Sequence, residues 1–167
     1  ATAKVDKEGN FIFELDLKNE CQLFLPGEAQ RGFIYAEPGK SYSVDIPNKR
    51  VRTLSEKLQP YFEPNEYFIS VTKPDKNGVY MKILQFEDAF DFFTMKNLAA
   101  KGDMDTVKYS INELNRIFSD MNSKFQKNYK DYRCMLLQAQ FSDPFQMSDV
   151  YKEFAKRGVD KNNPAFW

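Results

Sequence analysis

Histidine does not occur anywhere in the 167 residues of the chain. That excludes Ser-His-Asp and Cys-His triads, His-ligated zinc or haem, and imidazole as an acid–base group near neutrality. Cysteine is nearly as scarce. Cys21 and Cys134 are the only thiols and lie far apart in sequence, so neither a CxxC redox motif nor a Cys-rich zinc site can be assembled. They can pair only if the fold brings their Cα atoms within about 7 Å. Two free, buried thiols are expected instead, since Cys21 falls on a strand and Cys134 on an apolar helix. Charge of one sign is missing too. Lys plus Arg and Asp plus Glu both number 24, for a formal net charge of zero, and no basic stripe stands out, which argues against nucleic acid as a partner. No apolar run approaches the roughly 18 residues of a membrane span. No signal peptide is present either, and nothing follows from that for export.

Tryptophan occurs once, but 16 Phe and 9 Tyr bring the aromatics to 16%. Aromatic side chains contribute most to burial, residue for residue. Core packing is the main use expected of them, and an exposed ligand platform the lesser one.

The stretch that organises the chain is Gly32 to Pro47. Phe33 and Tyr35 alternate with Ile34 and Ala36, apolar on both faces. Tyr42, Val44 and Ile46 then alternate with Ser41, Ser43 and Asp45, the period of a half-buried strand. Glu37-Pro38-Gly39-Lys40 between them fits a type II turn, with Pro38 pre-setting φ and Gly39 supplying a positive one. The pattern predicts a β-hairpin. Around it, Thr2 to Asp6, Phe11 to Leu17 and Cys21 to Leu25 read as further short strands, the middle one after an Asp6–Asn10 turn. Five strands before residue 48 imply an antiparallel sheet or sandwich. Lys49, Arg50 and Arg52 could serve as an anion site, but no Gly-rich cradle flanks them and a solvated loop is the simpler reading. Thr53 to Leu58 reads as one helical turn stopped by Pro60, and Glu66 to Thr72 as another strand with Tyr67, Ile69 and Val71 on one face.

After Gly78 the hydrophobic period changes from two to about three and a half. Val79, Ile83, Phe86, Phe90 and Phe93 predict a helix to Ala100, stopped at Gly102. Asp103 or Asp105 caps a second helix with the stripe Val107, Ile111, Leu114, Phe118, Met121 and Phe125, which should pair with the first as a hairpin. A third runs from about Lys124 to Phe141. Ser148 is expected to cap a short fourth, closed by Gly158. Asn163 and Pro164 read as one more helix start, yet Phe166-Trp167 follow at once. Both ends therefore read as cuts through a longer protein. The expected fold is α+β: an antiparallel β-sandwich at 1–76, incomplete at its N-terminal edge, then a helical bundle at 77–167. Cut strands would leave an open sheet edge through which copies can associate.

No catalytic, cofactor-binding or metal-binding residue emerges. Glu87, Asp88 and Asp91 cluster on the first helix, where paired carboxylates could bind a hard cation or move protons. An exposed helix face accounts for them more simply. Asp103 and Asp105 lack the rest of a calcium loop. Tyr61 and Phe62 with Tyr67 and Phe68 could form a ligand or interface patch, for a glycan or a protein, or could pack the β-part against the helices. Both readings stay open.

Val5-Asp6 with Gly9-Asn10-Phe11-Ile12-Phe13, the run Gly32 to Tyr42, and Leu58-Gln59-Pro60-Tyr61-Phe62-Glu63-Pro64 together resemble the N-terminal part of exported proteins of Bacteroidetes-type bacteria. The resemblance covers the chain almost end to end. It departs mildly at Gln59, where the family usually has Asn. In that family a signal peptide precedes a small β-sandwich and a helical region, and many members end in a thioredoxin-like domain of the TlpA type. The resemblance implies a secreted or lipoprotein component of the periplasm or outer membrane, with flanking domains of the same protein as its partners. The family's redox cysteines lie in the C-terminal domain and match no position here, so no catalytic role carries over. A CxxC encoded downstream in the gene is the expected finding, and a natural stop codon after Trp167 would refute the truncation.

Overall fold

The computed structural model describes residues 3–167, without the side chains of 144–146 and 157. Thr2, where the first extended run was expected to begin, lies outside the described residues. The chain is a mixed α and β structure with five helices and two small sheets, of three and two strands. The strands are β1 (Cys21–Leu25), β2 (Gln30–Ala36), β3 (Val44–Asp45), β4 (Asn65–Phe68) and β5 (Ser70–Val71). The helices are α1 (Leu54–Lys57), α2 (Val79–Ala99), α3 (Met104–Ile117), α4 (Lys124–Phe141) and α5 (Pro144–Arg157), followed by a 3₁₀ turn at Pro164–Phe166.

Apolar residues on both faces of β2 dictate the architecture, because both faces then need cover. Phe33 and Tyr35 enter a cluster with Val79, Ile83, Phe86, Phe90 and Phe93 of α2 and with residues of α3 and α4. Ile34, on the opposite face, packs with Ile69 and Tyr80, joined by Leu23, Leu25, Val44 and Val71. Strand β2 is central in the order β1-β2-β4. It pairs antiparallel with β1, Cys21 opposite Ala36, and parallel with β4, Phe33 opposite Phe68. Gly32 makes the second pairing feasible, since a Cβ there would come within 2.8 Å of the Tyr67 ring.

The hairpin expected over residues 32–47 does not form. Its turn does: Gly39 has φ +71° and the Glu37 N–H donates to the Tyr42 hydroxyl at 3.0 Å. But β3 pairs with β5, Val44 opposite Val71, and not with β2. The second arm is half-apolar, and it lies in the layer over Ile34 because β2 already has a strand on each side. The three-stranded sheet is accordingly mixed where an antiparallel one was expected. Phe11 to Leu17 forms no strand either, although the Asp6–Asn10 turn closes, with the Asp6 N–H on the Asn10 carbonyl at 2.9 Å. Period-2 alternation sets up a face, but a strand also needs an edge to bond to. Three strands, not five, precede residue 48 among the described residues. The run Glu66 to Thr72 splits at Ile69, where the chain leaves one sheet for the other.

The helical half follows its periodicity except at the end of α3, which stops at Ile117, so that Met121 of the expected stripe lies in the connection and Phe125 on α4. The stripe of α2 from Val79 to Phe93 is buried, Asp103 caps α3 by accepting the Thr106 N–H at 2.9 Å, and α4 has the expected bounds. A polar pin joins α2 to α3: the fully buried Asn97 side chain donates to the Phe93 carbonyl and to Ser110 Oγ. The helix expected to begin at Ser148 is α5, which starts at Pro144, so Ser148 lies inside it and is not its cap. Proline at the first helical position is the local cause. Cys21 is half-buried, Cys134 is buried, and they form no disulfide.

Phe86 is fully buried where the sheet and helices meet. Phe86→Ala should lower the unfolding free energy by about 3–5 kcal/mol in urea titrations, with amide exchange in β2 and α2 accelerated together. Acceleration confined to α2 would mean that the two halves do not share their stability.

Candidate functional site

The most organised polar constellation sits where β2, α2 and α4 meet. Alternation along β2 turns Tyr35 toward the helices beside Phe33. On α4, Tyr129 and Arg133 stand four residues apart and share a face. The Tyr35 hydroxyl donates to the Tyr129 hydroxyl at 3.2 Å, and Tyr129 donates to Glu87 Oε1 at 3.0 Å. Arg133 closes the system with a two-pronged grip on Glu87, Nε to Oε1 at 2.9 Å and Nη2 to Oε2 at 2.5 Å. Its guanidinium also lies 4.0 Å from the centre of the Phe90 ring. Gln22 of β1 approaches Tyr35 at the other end, 3.4 Å from its hydroxyl. The Arg133–Glu87 pair is partly exposed, while both tyrosines are buried.

Burial pushes the Tyr35 phenol up to about 12, against a smaller opposing pull from its hydrogen bond with Tyr129. Burial likewise raises Tyr129, reinforced by the charge that Tyr35 would carry once ionised and by the carboxylate of Glu87 beside it. Both phenols are held neutral across the physiological range. They act as relays of hydrogen bonds, not as bases.

Two concavities among the described residues lie away from this network. One, of about 220 Å³, lies between α3, α4 and α5 and is lined by Ile111, Asn115, Asp131, Cys134, Asp149 and Glu153 among others. The other, of about 270 Å³, is a shallow surface depression around Lys96, Asp103 and Tyr109. Among the described residues no group of three or more His, Cys, Asp or Glu could hold a metal ion, and no helix is long and apolar enough to cross a membrane.

The four aromatic candidates do not come together as one surface. Tyr61 is 93% exposed. Phe62 lies beneath the Arg52 guanidinium, 4.3 Å from its ring centre. Tyr67 packs over Gly32 in the inter-sheet cluster, and the Phe68 ring lies tilted against that of Phe33, 4.4 Å between centres. The basic loop is internally engaged: Lys49 pairs with Glu28, Arg50 with Glu56, and Arg52 donates to the Glu28 carbonyl. Glu87 turns inward to Arg133, so the exposed helix face comprises Asp88 and Asp91 without it. Reading the sequence did not single out Tyr35, Tyr129 or Arg133 as polar partners. One signal was available, the Tyr129–Arg133 spacing of four on the third predicted helix. What they would meet was not visible, because Glu87 is 42 residues from Tyr129.

Tyr35 favours the protonated state in the fold, so its folded value lies above the unfolded value of about 10. Its contribution to stability is complete below pH 10 and is lost as the pH climbs from 10 to 12. Urea titrations should show this alkaline loss, and Tyr35→Phe should flatten it. Tyr129→Phe should cost about 1–2 kcal/mol at neutral pH by leaving Tyr35 without an acceptor. An unchanged alkaline slope in Tyr35→Phe would contradict the network.

Comparison of the chain with protein-family models, with curated proteins and with solved structures finds no match.

Proposed function

We propose that this chain is a non-catalytic module of an exported bacterial cell-envelope protein, periplasmic or at the outer membrane, which positions or partners a C-terminal thioredoxin-like domain. In this reading the two sheets are part of a β-sandwich and the helices form the bundle behind it. What supports it is how the side chains are deployed. The polar groups best placed for chemistry, Tyr35, Tyr129, Glu87 and Arg133, bond to one another inside the fold. Apolar side chains, by contrast, crowd outward over residues 51–61. Leu54 and Leu58 are 76% and 75% exposed and stand four residues apart, and Val51 and Tyr61 flank them, also exposed. Apolar groups concentrated in one surface segment mark a place that another surface covers. The resemblance of residues 32–42 and 58–64 to the exported family supplies the neighbour, a domain following in the same protein.

A second reading, a glycan- or peptide-binding domain, draws on the exposure of Tyr61 alone. Loss of glycan-array binding on Tyr61→Ala, with an unchanged melting temperature, would favour it.

The test is insulin reduction under dithiol recycling. The chain alone should be inactive, and a longer protein carrying it with its C-terminal domain should be active. Leu58→Glu should weaken binding of that domain in trans by about tenfold. Insulin reduction by the chain alone would overturn the proposal.

A further inference from the structure

Helix α2 is apolar on two sides. One stripe is the core stripe already described. The other comprises Phe92 and Met95, each 65% exposed, and Leu98, 55% exposed, with exposed Ala99 beside it. Steps of three and four keep these residues on one outer face, a strip roughly 9 Å long at 1.5 Å per residue. A helix with apolar residues on both sides is normally covered on both.

The charges around the strip indicate what covers it. Asp88 and Asp91 lie on its N-terminal side, exposed and without an ion pair among the described residues. Lys101, equally exposed and unpaired, lies beyond its C-terminal end. The nearby acids do not compete for it: Asp103 accepts the Thr106 N–H, and Asp105 pairs with Lys108. Lys96, on the flank of the strip, turns its ammonium to the Tyr109 ring, 4.3 Å from the ring centre, so along the chain the order is negative, apolar, positive. Such a strip is complementary to itself when reversed.

We infer that the outer face of α2 is the docking surface for a second copy of this chain, two α2 helices packing antiparallel about a two-fold axis at Met95. The axis places Met95 against its own copy and Phe92 against Leu98 in both directions, as an isologous contact requires. Asp88 lies seven positions before Met95 and Lys101 six after it, just past the helix end at Ala99, so each Asp88 faces the end of the partner helix that carries Lys101. Antiparallel packing also opposes the two helix dipoles. This contact uses neither the 51–61 surface nor the buried network, so its failure would leave the proposed function untouched.

Sedimentation velocity on the chain, from micromolar to near-millimolar concentration, is the experiment. The wild type should show a reversible monomer–dimer equilibrium that weakens as salt is raised. Met95→Glu, which sets two carboxylates face to face, should raise the dissociation constant by about tenfold or more. Asp88→Lys and Lys101→Glu should each weaken the dimer several-fold, and the double variant should restore it. All these positions are exposed, so melting temperatures should not move. A wild type that stays monomeric throughout, as it would if lipid or another protein covered the face, overturns the inference. So does a dimer indifferent to Met95→Glu, or a double variant no better than the single ones.

Discussion

A strand with apolar side chains on both faces cannot lie at a surface, and β2 imposes that constraint on everything around it. Phe33 and Tyr35 demand a layer on one side, and Ile34 demands another on the opposite side. The helices supply the first. The small β3–β5 sheet supplies the second, which is why a segment as short as Val44–Asp45 is held at all. Two strands in isolation are marginal. Here they survive as a lid over a hydrophobic surface that the neighbouring sheet has to hide.

The same burial creates a difficulty that the tyrosines resolve. Tyr35 carries a hydroxyl into the helix-facing layer, where an unpaired polar group costs about 1–3 kcal/mol. Relaying that hydrogen bond through Tyr129 to Glu87 brings the polarity out to the partly exposed Arg133. The aromatic rings stay in the core while their polar tips share one exit. Because the relay draws on β2, α2 and α4, it fixes the strand's height against both helices. That is a specification of geometry, which hydrophobic contact alone gives only loosely.

How much of this was legible depended on sequence distance. The stripe from Val79 to Phe93 is a property of one helix, and it reads directly from spacings of three and four. So does the Gly39 turn, and so does a cap at Asp103 or Asp105, which the structure places at Asp103. Strand partners are not local. Tyr42, Val44 and Ile46 carry the same alternation whether they pair with β2 or lie across from it, and only Val71, far along the chain, decides. Phe11 to Leu17 shows the opposite failure, a strand pattern with no edge beside it. Among the functional candidates, aromatic composition pointed to Tyr61, Phe62, Tyr67 and Phe68 as a group. Alternation along β4 sends Tyr67 and Phe68 to opposite sides of the sheet, which separates them from the exposed Tyr61.

Ile69 is the single residue between β4 and β5, and it has no slack. Its N–H donates to the Phe33 carbonyl at 2.8 Å, its own carbonyl accepts from the Tyr80 hydroxyl at 2.9 Å, and its side chain is buried. Exchange of segments between two copies requires a hinge that can open and straighten, and a protease requires a stretch of chain that it can lift. This joint provides neither, so tension applied to either sheet passes directly to the other and to the first turn of α2.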